Sequence, residues 1–266
     1  MAARPIWTGT VSFALLSVPV KLFSATRSKD ISFNQIEKST GGRIKQKRVS
    51  ATTGDEVPAE EIVKGYDLGG DRYVVIEPGE LEALTPRDAT NERTIQILDF
   101  VSLADIDPIY YEKAYYIAPD KGGARPYALL VQAMRETGKV AIAKVVLRTK
   151  EYLTAIRPVG DLLCMETMLF GDEVIDPSEI EGLPEGGVQI AEKELDMAKM
   201  LVETSASEFE PSKYRDEYRE RVMALIEAKS AGQVYEMPTT EEPPKVLDLM
   251  AALEASLAAT KARKTA

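Results

Sequence analysis

Apolar and polar residues alternate over much of the first two thirds of the chain, and the period lengthens only near residue 190. Trp7, Gly9, Val11, Phe13 and Leu15 fall on one side of an extended segment, and Thr8, Thr10 and Ser12 on the other. That is the two-residue period of a half-buried strand. Residues 6–25 read as a strand pair, because Gly9, Pro19 and Lys21 interrupt the stretch too often for a signal peptide. Further short strands are expected at 31–36, 73–76, 94–101, 114–117, 140–148, 152–157 and 162–169, set apart by Gly, Pro and Asp. Helices are expected at 79–84 and 127–136. So many short strands point to a barrel or a sandwich.

Beyond Ile190 the spacing is helical. Leu195, Ala198, Leu201 and Val202 share one face, and Tyr214, Tyr218, Val222, Leu225 and Ile226 share another. Charges fill the remaining faces, as in an arm laid on a surface. Residues 233–245, with Pro238, Pro243 and Pro244 among acids, read as a linker. Val246, Met250, Leu253 and Leu257 then recur in helical register before the basic end Lys261, Arg263 and Lys264. Such a segment either offers its apolar face to a partner's groove or folds back on its own core.

Charge changes the picture. The chain carries 33 Lys+Arg against 43 Asp+Glu, a net charge of -10. Residues 1–50 nonetheless hold nine basic residues against Asp30 and Glu37 alone, a local charge of +7. Residues 172–220 reverse this, with fifteen acids against five bases. Screening over about 8 to 10 Å separates two such regions, so the basic part attracts polyanions whatever the total charge.

What is missing narrows the chemistry. The chain has no histidine, which removes His-dependent triads and His metal ligands. The single cysteine, Cys164, cannot form an intrachain disulfide, and its apolar neighbours 162–169 favour a buried structural thiol over a nucleophile. No phosphate-cradling glycine motif occurs, so no cofactor is expected. Asp105 and Asp107 read as a solvated loop rather than a metal site, and no apolar run approaches the about 18 residues of a membrane span. Nothing positively suggests an enzyme.

The strongest functional signal is Gly41 to Val49, GGRIKQKRV. If this stretch is extended, Arg43, Lys45 and Lys47 project from one face at intervals of about 6.6 Å, comparable to the phosphate step of a nucleic-acid strand. The alternative is a solvated hairpin whose charges only discourage edge pairing. A second cluster, Lys144, Arg148, Lys150 and Arg157, would extend this into a continuous basic surface. Few aromatic residues interleave with these bases in sequence, so stacking on single-stranded bases is not indicated.

Several blocks together resemble a known family. IWTGTVSFALLSVPVKLFSAT (6–26), GGRIKQKRV (41–49), IVKGYD (62–67), RYVVIEPGELEAL (72–84), DPIYYEKAYYIAPDKGG (107–123) and AIAKVVLRTKEYLTAIRP (141–158) resemble bacterial Ku, and ELDMAKMLV (194–202) and YRDEYRERVMALIEAK (214–229) continue the likeness. The resemblance spans nearly the whole chain in order. It implies a mixed α+β protein: a Ku-like β-barrel in residues 1–190 with a bridge insertion at about 38–93, a helical arm at 191–232, the linker 233–245, and a C-terminal helix with a short basic tail at 246–266. It further implies a homodimeric ring that slides onto double-stranded DNA ends and recruits an ATP-dependent DNA ligase, ligase D, in a cytoplasmic, nucleoid-associated role. Arg43, Lys45, Lys47 and Arg48 would then face phosphates, Arg148 and Lys150 would add contacts from the barrel wall, and Arg27 and Lys29 are weaker candidates. Val246, Met250, Leu253 and Leu257 would meet the ligase. Some relatives carry a Cys-x-x-Cys pair where this chain has Ser50 and Thr53, so a metal or redox role there does not transfer. A carboxylate-metal nuclease and a general architectural binder of DNA or RNA are the competing readings.

Overall fold

A computed structural model describes residues 3–70, 72–84, 93–148, 150–182, 187–232 and 252–258 of the chain. Two compact units emerge, Met1–Glu179 and Ile180–Ala266. The first contains strands β1 (Trp7–Phe13), β2 (Leu16–Ser24), β3 (Lys64–Asp67), β4 (Tyr73–Ile76), β5 (Thr94–Ser102), β6 (Tyr111–Pro119), β7 (Lys139–Leu147), β8 (Lys150–Val159) and β9 (Leu162–Met168), with helices α1 (Pro78–Leu84) and α2 (Ala124–Thr137). Seven of these strands close into a barrel in the order β1-β2-β6-β9-β8-β7-β5, and β3 and β4 form a separate antiparallel hairpin.

Alternation builds the barrel's interior. Val18, Val20 and Leu22 on β2, Ile95 and Ile97 on β5, Ala141, Ala143 and Val145 on β7, and Leu163 and Met165 on β9 are all buried in one apolar cluster. Each large aliphatic side chain so buried contributes roughly 1.5 to 3 kcal/mol. Closure also removes the sheet edges that would otherwise invite pairing with another chain. Bulges in β5 between Ile97 and Asp99, and in β6 between Tyr111 and Lys113, interrupt the register where those strands bend.

The barrel's two ends differ. Helix α2 packs on β2, β7 and β8 and sends Tyr127, Val131 and Met134 into the core. The Tyr127 hydroxyl donates to the Ile117 carbonyl at 2.6 Å and accepts from the Leu163 N–H at 2.8 Å. Both partners lie near the end where β6 finishes and β9 begins, so α2 stops that end. Gly123 leads into α2 where a Cβ would stand 2.4 Å from the Pro19 carbonyl oxygen, a close approach that only glycine allows.

The strand pairs fix what collects at the opposite end. The registers Trp7↔Leu22, Ser24↔Tyr115, Tyr111↔Met168, Leu147↔Lys150 and Ile95↔Val145 place there the starts of β1, β5, β6 and β8 and the ends of β2, β7 and β9. Chain 25–93 therefore leaves the barrel and returns to it at this open end. The stretch 38–93 expected as an insertion is the larger part of this excursion.

Local expectations met several corrections. Leu15 does not continue the β1 face; it sits fully exposed in the β1–β2 turn, beside Ala14 at φ 51°. The strand expected at 31–36 does not form, and only a single bridge joins Ile36 to Arg43. The apolar alternation there had no second strand to pair with. Strand β3 was not expected, because its four residues are exposed on both faces and show no period.

In the second unit, α3 (Glu192–Ser205) and α4 (Glu217–Ser230) contain no buried residue. Ala198, Leu201, Val222 and Leu225 are half-buried as expected, whereas Leu195, Val202 and Tyr218 are exposed. Tyr214 precedes the helix altogether, since Asp216 caps α4 by accepting from the Arg219 N–H at 2.9 Å. Tyr214 instead stacks on Phe209 with ring centroids 5.6 Å apart. Leu253 and Leu257 are half-buried on a helical turn pair at 252–258, while Val246, Met250 and the linker 233–245 lie outside the described residues.

Candidate nucleic-acid interface

Chain 25–93 has no buried residue among those described, so backbone hydrogen bonds rather than a core hold it. Two small turns flank its basic segment. In the first, the Gly41 N–H donates to the Glu37 carbonyl and the Glu37 N–H to the Gly42 carbonyl, both at 2.8 Å, beside the Ile36↔Arg43 bridge. In the second, the Val57 N–H donates to the Arg48 carbonyl at 2.9 Å, the Ser50 N–H to the Asp55 carbonyl at 2.8 Å, and the Ser50 hydroxyl accepts from the Thr52 and Thr53 N–H groups at 3.3 Å. Ser50 and Thr53 thus close a hydrogen-bonded turn by themselves.

Residues 43–48 join these turns. They are not the regular strand that would aim Arg43, Lys45 and Lys47 from one face; single bridges occur only at Arg43 and Val49. Lys47 pairs with Glu56 at 2.6 Å in an exposed ion pair. Among the described residues Arg43, Lys45 and Arg48 have no ion-pair partner, and neither do Arg27 and Lys29 just beyond β2. All five are exposed. Exposed, unneutralised cations of this kind meet polyanions at little desolvation cost.

The second cluster splits. Lys144 is taken by Glu151 at 2.9 Å and Arg157 by Glu166 at 2.9 Å, so neither adds free charge. Arg148 stays exposed without an ion pair among the described residues, and Lys150 stands 5.2 Å over the Tyr152 ring and 3.9 Å from Glu173. Arg148 opens the tight turn between β7 and β8 at φ 62°. Two-residue hairpins favour this left-handed geometry, which Ala14 also adopts in the β1–β2 turn, at a modest strain for any residue but glycine. Arg148 and Lys150 lie at the open end of the barrel, where chain 25–93 departs and returns.

Around Arg148 lies a cleft of about 380 Å³ whose lining includes Trp7, Lys113, Tyr115, Tyr152 and Glu112. Lys113 sits 5.8 Å over the Tyr115 ring. Burial pushes the Tyr115 hydroxyl above its ordinary range, Tyr152 adds to this, and the Arg148 charge partly offsets it. Sequence reading missed this meeting of aromatic rings and cations, because the rings come from β1, β6 and β8, and only barrel closure brings them together. Lys113 and Tyr115, two apart on β6 and so on one face of an extended strand, were the one local sign.

A second cleft, of about 590 Å³, lies between Leu103, Ile106, Pro108, Tyr111, Arg157 and Glu166. The Tyr111 hydroxyl and the Glu166 Oε2 atom are buried there without a hydrogen-bond partner. Nearby Cys164 is buried, and burial followed by the Glu166 carboxylate pushes its thiol up to about 12. A thiol held neutral in this way is inert. With the Glu166 carboxylate in its lining and Arg157 already paired to it, this cleft suits no phosphate. Among the described residues no group of three or more Asp, Glu or Cys is placed to hold a metal ion, and no helix is long and apolar enough to cross a membrane.

Comparison with known proteins bears on the same region. Residues 12–197 match the family model for the Ku70/Ku80 beta-barrel domain. The chain is 46% identical over 263 residues to the non-homologous end joining protein Ku of Anaeromyxobacter sp. (strain K), covering 98% of this chain and 87% of that protein. It is 42% identical to the protein of the same name from Desulfitobacterium hafniense, covering 97% and 89% of the two chains. The protein of that name from Heliobacterium modesticaldum is also 42% identical, with 99% and 95% covered. A closed barrel with a basic excursion from one end, matched to relatives over nearly its full length, makes this chain a member of the Ku family.

Proposed function

We propose that the protein binds double-stranded DNA ends, without regard to sequence, in non-homologous end joining, and that it does so as a homodimeric ring. The observation that carries this reading is the open end of the barrel. An excursion that buries none of its described residues and bears Arg43, Lys45, Lys47 and Arg48 leaves and returns there, and Arg148 and Lys150 stand on the same end, with Arg27 and Lys29 at the start of the excursion. Cations that touch only phosphates position a duplex and carry no base information. An excursion of this length arches over a duplex laid against the barrel, and a second copy completes the ring.

The second unit supports the dimer. Its helices lack a buried residue of their own and expose Leu195, Met200, Val202 and Tyr218, surface that a symmetric partner would cover. In this reading residues 1–190 form the barrel with its bridge, 191–232 the dimer arm, 233–245 a linker, and 246–266 a helix and basic tail that recruit an ATP-dependent ligase, ligase D, through Val246, Met250, Leu253 and Leu257. The protein itself performs no chemistry; it works beside the chromosome and takes no cofactor.

Threading gives the test. A closed ring admits DNA only at an end, so covalently closed circles should compete poorly against a labelled linear duplex. Relaxed closed circles that compete as well as linear DNA of the same length would overturn the ring.

A further inference from the structure

We infer that the cleft at the open end of the barrel is a pocket for an unpaired nucleobase, so that the protein holds a single-stranded overhang at a DNA end as well as the duplex behind it. The inference rests on the end-binding reading and adds a ligand to it. The observation behind it is a juxtaposition that barrel closure creates: Trp7 from β1, Tyr115 from β6 and Tyr152 from β8 line one cleft with Lys113 and Arg148. Single-stranded nucleic acid is held in this manner, bases on aromatic faces and backbone on cations, with little sequence preference.

The dimensions and the build of the cleft agree with such a ligand. Its volume of about 380 Å³ sits at the small end of the roughly 300 to 1,000 Å³ typical of small-molecule sites. Trp7 is held flat against its own strand: a Cβ on Gly9 would stand 2.3 Å from one indole ring carbon and 2.2 Å from the Arg93 carbonyl oxygen. Only glycine at that position leaves the indole where it is. Tyr115 is buried and serves as a brace, so the ring surface left for a base is that of the half-buried Trp7 and Tyr152. A preformed stacking surface loses little entropy when it receives a base.

Charge divides the cleft between base and phosphate. Arg148 and Lys113 are exposed cations at its lip, and Lys150 stands over the outer ring, Tyr152. Glu112 also lines the cleft. A carboxylate repels phosphate and accepts hydrogen bonds from exocyclic amino groups, which adenine, cytosine and guanine carry and thymine lacks. The backbone therefore stays at the lip and the base goes inside. The two-residue turn between Leu147 and Lys150 takes the positive-φ geometry that such hairpins favour and leaves the Arg148 side chain exposed at the lip.

The chain has one tryptophan, so Trp7 emission reports on the cleft directly. Full-length protein is titrated with three hairpin duplexes: one blunt, one with an overhang of a few deoxycytidines, and one with an overhang of the same length made of abasic residues. The deoxycytidine overhang should quench Trp7 and tighten binding by roughly five- to a hundredfold over the blunt end for one captured base. The abasic overhang should leave Trp7 emission unchanged and gain clearly less affinity, because only its phosphates meet the cations at the lip. In Tyr152→Ala the ratio of overhang to blunt affinity should fall towards one, and Tyr152→Phe, which keeps the ring, should restore it. A ratio near one in the unaltered protein, with blunt ends still bound, overturns the pocket and leaves end binding standing. Equal gains from the abasic and deoxycytidine overhangs also overturn it, by reducing the site to one that holds phosphates alone. Failure to bind any of the three duplexes overturns the end-binding reading itself and the pocket with it.

Discussion

Arg43, Lys45 and Arg48 and the turn at Arg148 all present unpaired cations, yet the first three hang between two hydrogen-bonded turns that bury no residue, whereas Arg148 stands on a barrel whose inward side chains are buried. Charge alone attracts a polyanion; charge on a braced frame also places it. On the proposed reading, the excursion attracts the polyanion and the barrel places it. Substitutions in the excursion should change how strongly DNA is held, substitutions in the barrel should change whether there is a frame at all, and Arg148 should register in both.

The largest effect expected is on binding. Replacing Lys45, Lys47 and Arg48 together by Ala should flatten the dependence of log affinity on log salt by about 0.9 for each phosphate no longer neutralised, about 1.8 from the unpaired Lys45 and Arg48 and less from Lys47, which Glu56 already pairs. Affinity should fall by a similar factor on every duplex sequence, and the thermal transition should barely move. Arg148→Gln alone should remove about 0.9 of the slope. A salt titration of both variants decides the matter, and an unchanged slope in the triple variant would put the duplex elsewhere.

Stability should show the reverse pattern. Leu163 is fully buried in the barrel, so Leu163→Ala removes buried methyl groups and leaves a cavity, at a cost of about 2 to 5 kcal/mol. Ile44 and Val49 in the excursion are 53% and 59% exposed, and truncating either to Ala should cost no more than about 0.5 kcal/mol. Denaturant titrations of the three variants compare them on one scale. A cost at Ile44 equal to that at Leu163 would mean the excursion has a core of its own.

The same contrast explains what could be read from the sequence. Barrel strands were legible because one buried face imposes a period of two, as at Val18, Val20 and Leu22 on β2, and the two ends of β5 and β9 fell close to where the alternation stopped. Residues 31–36 carry the same alternation, but a strand exists only with a neighbour to bond, and no partner reaches them beyond the bridge at Ile36. The stretch 41–49 failed as a strand for the same reason. Its charge was nonetheless plain from the sequence, because exposed cations need no partner to be recognised. The neutralisation of Lys144 by Glu151 and Arg157 by Glu166 was hidden, since each pair spans neighbouring strands whose register is set by the turns between them. The aromatic cleft was further out of reach. Trp7, Tyr115 and Tyr152 lie on strands brought together by the strand order of the closed sheet, which no local period encodes.

The smallest effect expected is the most diagnostic, because its two readouts should move in opposite directions. Arg148 occupies the left-handed region at φ 62°, where a non-glycine residue is strained by roughly 1 kcal/mol or more. Glycine adopts that backbone without steric cost, although it adds freedom to the unfolded chain. Arg148→Gly should therefore leave the protein as stable as before or stabilise it by up to about 1 kcal/mol, with the strands β7 and β8 kept in register by the Leu147↔Lys150 pair. Binding should weaken all the same, with a salt slope lower by about 0.9, because the guanidinium is gone. Arg148→Ala separates the two contributions: it loses the same charge but keeps a Cβ in the left-handed region, so its binding should match that of the glycine variant and its stability should fall below it. If the glycine variant instead proved less stable than the alanine variant, position 148 would hold no left-handed strain for glycine to relieve.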